Sequence, residues 1–230
     1  MTHELILGDP AYSSWSLRAW LLVTRFDIPH RLRWVELYAD TPLAAQIAAP
    51  PARTVPTLLF DGGAVASDTI SIAEELATRY PDRGFWPTEP LPRAMARNLA
   101  AEMHAGFAAL RNACPMCLRT AYADVPVSAE VQVDLDRLDV IWTDALARSG
   151  GPWLAGDYSI ADAFYAPVAA RIAGYGLAAS DVARDYVDRH LGDPAFAEWR
   201  ALAKDRGPDL HEVQYKMPYP RRPFPDSLPR

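Results

Sequence analysis

The segment Tyr12-Ser13-Ser14-Trp15-Ser16-Leu17-Arg18 stands between the first apolar run of the chain and its first amphipathic stretch. A hydroxyl just before a helix start accepts from the free backbone N–H groups there. The same hydroxyl, together with the positive helix end, can stabilise an anion such as a thiolate bound against it. A second signal is Thr54-Val55-Pro56-Thr57, which leads into a strand. An X-Pro bond at such a point is a place for a cis peptide. A cis bond would turn the Val55 backbone outward, where an extended peptide pairs with it as another strand does. The third signal is Ser67-Asp68-Thr69, at the start of another amphipathic stretch. Asp68 there either caps a helix or holds an ammonium, and the Thr69 hydroxyl and N–H make a carboxylate site. An α-amino-acid end, with both charges on one carbon, suits such a pair. The fourth is Tyr158-Ser159-Ile160-Ala161-Asp162, whose S-x-x-D spacing is that of a capping box and reads as structural.

These residues need elements to hold them. Glu4 to Gly8 is a short apolar run ended by Gly-Asp-Pro and reads as a buried strand. Ser14 to Phe26 reads as a helix, Arg31 to Leu37 as a strand, and Leu43 to Ala49 as a short helix begun by Pro42. Thr57 to Phe60 and Ala64 to Ala66 form a hairpin around Asp61-Gly62-Gly63, and Thr69 to Tyr80 is a helix closed by Pro81. The order is βαβ-α-ββα. After a proline-rich linker every strong pattern is helical: 93 to 118, 129 to 149, 160 to 173, 180 to 191 and 194 to 203. The expected division is a βαβ-α-ββα domain over 1–81, a linker over 82–92, an all-helical domain over 93–210 and a proline-rich tail over 211–230. The tail cannot form a regular helix. It either lies extended or disordered at the surface, or packs over a site or a subunit joint.

Composition narrows the chemistry. Half of the 230 residues are apolar and 23% are charged, which excludes disorder of the whole chain. A net charge of -6 without a dense Lys/Arg block argues against nucleic acid. Apolar stretches fall short of the roughly 18 residues of a membrane helix. The first residues lack the pattern of a signal peptide, and two cysteines do not make a disulfide scaffold. A cytoplasmic location is the expectation. Cys114-Pro115-Met116-Cys117 has the C-x-x-C spacing, but it lies in the helical half, where Pro115 is expected to kink a helix. No metal is expected, because the five histidines are scattered singly. His104 reads as a core or surface residue rather than a base. Met116 and Tyr165 read either as core or, with Arg111 and Tyr12, as the lining of a pocket.

In order and spacing the four signals resemble the cytosolic glutathione transferase family, from Leu5 to about Leu202. The resemblance implies a thioredoxin-like domain followed by an all-helical domain, usually as a homodimer. It implies glutathione as co-substrate and a small electrophile as its partner. Ser-Ser-Trp-Ser-Leu-Arg is also similar to the Ser-Ser-Cys-Ser-Trp-Arg run of the zeta class, which includes maleylacetoacetate isomerases. In zeta and tau enzymes the active serine lies five residues before an arginine. Counting back from Arg18 gives Ser13, with Ser14 next. Trp15 stands where the zeta class has cysteine. The family's glutathione contacts map onto Asp68, Thr69, Val55 and Pro56, with Trp15 and Arg53 nearby. The implied reaction is serine-assisted ionisation of the glutathione thiol and its attack on the electrophile. The alternatives are a glutathione-dependent cis-trans isomerase and a non-catalytic glutathione-binding module. A cysteine-type reductase is disfavoured, because no cysteine lies between Tyr12 and Arg18.

Overall fold

The computed structural model of the chain describes residues 2–206 and 217–228. Its first half is built on a mixed four-stranded sheet in the order β2-β1-β3-β4. Strand β1 (His3–Leu7) runs parallel to β2 (His30–Trp34) with Leu5 opposite Leu32, and antiparallel to β3 (Thr57–Leu59) with Leu5 opposite Leu58. A parallel pair needs a crossover, and helix α1 (Ser14–Arg25) supplies it. The short strand β4 (Val65–Ala66) returns beside β3 through a turn in which Gly62 and Gly63 have φ of 93° and 91°. Positive φ is the conformation that glycine tolerates at little cost.

Period-two alternation decides what each sheet face buries. Leu5, Leu7 and Leu58 meet Leu17 and Leu21 of α1 and Ile72 and Leu76 of α3 (Thr69–Arg79) in the main core. Ile6 points the other way, into a smaller cluster with Val35, Ala52 and Ile47 of α2 (Leu43–Ile47).

The second half contains α4 (Pro90–Ala105), α5 (Ala108–Ala113), α6 (Ala129–Ser149), α7 (Ile160–Tyr175), α8 (Asp181–Leu191) and α9 (Pro194–Asp205). Helix α7 is its axis. Every residue from Ile160 to Tyr175 is buried, as expected of a helix that is apolar on every face apart from Asp162 and Arg171. It packs on α1, α4 and α8, so one continuous core runs from Leu5 to Leu228 through both halves. The Ser159–Asp162 box opens α7: Asp162 Oδ2 accepts from the Ser159 backbone N–H at 2.9 Å and from its hydroxyl at 3.1 Å.

Three features differ from the pattern read in the sequence. The stretch 93–118 is not one helix, because α4 stops at Gly106 and Phe107 takes a φ of 57° before α5 begins. Pro115 kinks no helix, because α5 ends at Ala113 and Cys114 is its cap. The second half also carries a small sheet: β5 (Thr120–Tyr122) pairs antiparallel with β6 (Arg221–Pro223), with Ala121 opposite Arg222. The proline-rich tail therefore returns to the helical half, where Phe224 and Leu228 are buried. Residues 211–216, 229 and 230 of that tail lie outside the described residues.

Candidate functional site

The loop from β1 to α1 is set by local chemistry. Asp9 Oδ1 accepts from the Ala11 N–H at 2.8 Å, and the Asp9 carbonyl accepts from Ser13 N–H at 2.8 Å. The helical half also holds this loop. Trp199 Nε1 of α9 donates to Pro10 O at 2.8 Å, and Leu118 N–H donates to Ala11 O at 3.1 Å. Ser13 is the N-cap of α1. Its Oγ accepts from the Ser16 N–H at 3.2 Å and donates to Ser16 Oγ at 2.8 Å, and Ser16 Oγ accepts from Gly8 N–H at 3.0 Å. The Ser13 hydroxyl is thus buried and closed into the cap. Ser14, the first helical residue, is half-buried, and its Oγ accepts from Nη2 of Arg171 at 3.4 Å.

Three guanidinium groups gather at this helix end. Arg18 is buried on α1 between two rings, 4.5 Å from the Trp15 centroid and 5.1 Å from that of Phe164. Neither its Nε nor its Nη1 has a hydrogen-bond partner among the described residues. Arg111 of α5 lies 5.0 Å from the same Trp15 ring. Arg171 of α7 is buried and donates to Cys114 O and Pro167 O as well as to Ser14. Burial, reinforced by the neighbouring Arg171 and Arg111, pushes the Arg18 guanidinium down to about 9. An anion bound here would relieve both the burial cost and the mutual repulsion.

The second edge of the site is the start of α3. Asp68 Oδ1 caps the helix, accepting from Ile70 N–H at 2.8 Å and Ser71 N–H at 3.5 Å. Its Oδ2 lies 3.4 Å from His104 Nε2, and the buried Thr69 hydroxyl lies 3.5 Å from His104 Nδ1. The His104 ring also meets Trp15 edge-on at 5.3 Å, which joins the α1 and α3 edges. The Val55–Pro56 bond is cis, Val55 is half-buried before β3, and Arg53 is exposed. Thr54 Oγ1 donates to Ser67 O at 3.2 Å, tying the Val55 turn to the α3 start.

Ser14, Trp15, Arg111, Asp68 and Thr69 are thus brought together through the Trp15–Arg111 and Trp15–His104 contacts. Tyr12, Met116 and Tyr165 do not face open space. They are 5%, 2% and 0% exposed, and the Tyr165 hydroxyl is spent on Leu99 O at 3.1 Å. The expected pocket lining is therefore packed core at these three positions. Cys114 and Cys117 are free and buried, and burial pushes the Cys114 thiol up to about 11. No cluster of three metal-ligating side chains occurs among the described residues. A cavity of about 760 Å3 lies between the β2 end and α9, lined by Asp9, Pro10, Trp34, Tyr38, Glu198 and Arg206 among others. It shares only the β1–α1 loop with the site just described.

Sequence reasoning set His104 aside as a core or surface residue and missed Arg171. Nothing in its local spacing marks His104, which reaches the α3 start only through tertiary packing. Arg171 did leave a signal: it is a lone cation within the apolar run from Ala163 to Ala173, and a charge so placed is rarely buried without a role.

Comparison with known proteins agrees with this fold. Residues 12–79 match the family model described as glutathione S-transferase, N-terminal domain. A probable maleylacetoacetate isomerase from Caenorhabditis elegans is 29% identical over 99 residues, which are 43% of this chain and 45% of that protein. The match thus spans less than half the length of that curated relative. Among solved structures, a glutathione transferase homologue from Burkholderia with bound glutathione is 22% identical and superposes with a TM-score of 0.69, over 90% of this chain and 100% of the other. A glutathione transferase from Methylococcus capsulatus, also 22% identical, gives 0.64 over 87% and 98%. The Omega 2S enzyme of Trametes versicolor, solved with 2,4-dihydroxybenzophenone, is 18% identical and gives 0.68 over 94% and 98%. These structures share the fold.

Proposed function

We propose that this chain is a member of the glutathione transferase family, that it binds glutathione along the α1, β3 and α3 edges, and that it ionises the thiol for attack on a small electrophile. The match of residues 12–79 to the N-terminal domain of that family supports this. One observation carries the reading: the Ser14 hydroxyl stands at the head of α1 with its oxygen accepting from Arg171 and with no acceptor for its proton among the described residues. Ser13, which the count from Arg18 selects, has its proton committed to Ser16. The thiol-binding hydroxyl is therefore assigned to Ser14.

The tripeptide lies with its γ-glutamyl ammonium on Asp68 Oδ2 and its α-carboxylate on the Thr69 N–H at the α3 start. The cysteinyl backbone pairs with Val55, and Arg53 reaches the glycyl carboxylate. A free thiol has a pKa of about 8.5 and is mostly protonated at neutral pH. Lowering it by about 2 units takes roughly 2.7 kcal/mol. One charge-assisted hydrogen bond from Ser14 plus the helix end and nearby guanidinium groups covers that amount. The thiol proton leaves to solvent, and the sulfur lone pair forms the new bond as the carbon–halogen bond of an aryl halide breaks and halide departs, or as the C=C π pair of an enone shifts towards its carbonyl oxygen.

A second reading, glutathione-dependent cis-trans isomerisation, is favoured by the cations. Arg111 and Arg171 flank the thiol position and suit a carboxylate-bearing cis-enone. The isomerase relative points the same way. A homodimer and a cytoplasmic location belong to the same proposal. The dimer is supported by Val133 and Val140, both exposed and two turns apart on α6.

Calorimetry with glutathione, followed by turnover of a neutral aryl halide and an anionic cis-enone, tests the proposal. Glutathione should bind, and Asp68→Ala should weaken it by about 1–3 kcal/mol, the range for a hydrogen bond to a charged group. Turnover of the cis-enone alone would favour isomerisation. Absence of glutathione binding would reject both readings.

A further inference from the structure

Asp68 has two oxygens with different tasks. Oδ1 is held by the first turn of α3, while Oδ2 faces His104 Nε2 at 3.4 Å. His104 comes from the last turn of α4, in the other half of the chain. The 3.4 Å separation is an ion-pair contact, longer than a formed hydrogen bond. Because a carboxylate repels a bare ring nitrogen, the neutral ring is assigned with its proton on Nε2, from which a small closure would let it donate to Oδ2. Nδ1 is then the acceptor, and the Thr69 hydroxyl donates to it. The result is a short relay, Thr69 to His104 to Asp68, anchored on α3 at both ends and on α4 in the middle. The ring is further fixed by Trp15 edge-on at 5.3 Å and by Phe164 of α7 at 6.2 Å.

We propose that His104 is a positioning residue for the γ-glutamyl end of glutathione: as a neutral donor it fixes Asp68 Oδ2 towards the ligand's ammonium, and as an imidazolium it competes with that ammonium. The inference rests on the glutathione site proposed above. Its physical content is that ligand binding and protonation of His104 are antagonistic. With the ring neutral, Asp68 keeps a full negative charge for the ammonium. With the ring charged, Asp68 is already paired, and the ligand's ammonium meets a like charge.

The charged and titratable groups facing His104 are few. They are Asp68 on α3, Arg18 on α1 and Arg111 on α5; Phe164 is the neighbour from α7. Burial, then Arg18 and Arg111, lower the histidine, while Asp68 opposes them. The competition therefore sets in below pH 6.5. Above that the donor form prevails and affinity is flat. Glutathione's own amino and carboxyl groups keep one protonation state between pH 5 and 7 and add no slope there.

The test is glutathione affinity by calorimetry from pH 7.5 to 5, with steady-state kinetics at pH 7.5, on wild type, His104→Gln and His104→Phe. Thermal melting of each variant checks that it is folded. Wild type should bind with constant affinity down to about pH 6.5 and lose several-fold by pH 5. His104→Phe keeps the ring contacts but has no donor. It should raise the KM for glutathione about 3- to 10-fold at pH 7.5, with kcat changed less than about twofold. His104→Gln can still donate to Asp68 but cannot titrate. It should recover most of the neutral-pH affinity and show no loss on acidification. Wild-type affinity in His104→Phe, or an acid loss that persists in His104→Gln, would overturn the inference while leaving the glutathione site standing. Failure of wild type to bind glutathione, or binding that ignores Asp68→Ala, would remove that site and the inference together.

Discussion

The hydroxyl protons of Ser13 and Ser14 go to different places, and the two substitutions should therefore fail differently. Ser13 accepts from one N–H of α1 and donates to Ser16, which in turn receives Gly8 N–H. Ser13→Ala should cost about 1 kcal/mol of stability, the usual cost of a lost N-cap, with little change in the bound thiol. Ser14→Ala should leave glutathione affinity nearly intact, because Asp68, Thr69 and Val55 hold the tripeptide elsewhere. It should raise the pKa of the bound thiol and slow turnover at neutral pH by about 10- to 100-fold, equivalent to roughly 1.4–2.7 kcal/mol. Part of that rate should return as pH rises, because the missing function is ionisation. Thiolate absorbance near the ultraviolet edge, followed against pH for wild type and both variants, separates the two serines. A shift in Ser13→Ala alone would return the role to Ser13. The positions of both serines and of Asp68-Thr69 were legible in the sequence, since capping is chemistry among near neighbours. Which serine keeps a free proton was not legible, because it depends on Ser16 closing back on Gly8 and on Arg171 arriving from α7.

At the scale of elements, local pattern and tertiary packing divide the outcome. The βαβ-α-ββα order, the Gly62-Gly63 turn and the Ser159–Asp162 box could be read directly, since each depends on residues a few positions apart. The break between α4 and α5 could not, because the apolar spacing continues through Gly106-Phe107 while the backbone does not. The strands β5 and β6 are three residues each, too short for a period, and they pair across about a hundred residues. The tail that carries β6 contributes to stability through Phe224. That ring is 7% exposed, fits against Gly174 where a Cβ would stand 3.2 Å from Cε2, and has the Arg200 guanidinium 4.7 Å from its centroid. Phe224→Ala should destabilise the protein by about 3 kcal/mol, as expected for a buried aromatic. Its measure is denaturant unfolding at neutral pH. The glutathione thiol pKa should be unmoved, because Phe224 touches neither Ser14 nor the α3 start. A loss under about 1 kcal/mol would mean that β6 and its ring lie loosely on α7.

Across the whole molecule, two buried groups in one cluster contribute to the pH dependence of stability with opposite sign. Tyr186 joins them: its hydroxyl donates to Asp162 Oδ1 at 2.9 Å, and its ring meets that of His190 edge-on at 4.7 Å. Burial outweighs the hydrogen bonds from Leu154, Ser159 and Tyr186 and pushes the Asp162 carboxyl up to about 6. Burial also pushes His190 down to about 3, and its Nε2 has no partner among the described residues. Between pH 3.8 and 6 the folded state holds a proton on Asp162 that the unfolded chain has released, so this carboxyl alone makes stability fall as pH rises. Between pH 6.5 and 3 the unfolded chain protonates His190 and the folded state does not, so this ring alone makes stability fall as pH drops. Each slope approaches about 1.4 kcal/mol per pH unit where one proton separates the states. Over pH 4–6 the two contributions nearly cancel. Urea unfolding across that range should therefore show a shallow wild-type profile from this cluster. Relative to wild type, His190→Gln removes the ring's contribution and should gain stability as the pH is lowered from 6 to 4. Asp162→Asn should start lower, because the amide cannot accept all of the helix-start bonds, and should then lose more as the pH is lowered. Parallel profiles for the three proteins would show that neither group titrates out of step with the unfolded chain. Equal slopes of the same sign in both variants would show that the balance lies elsewhere in the fold.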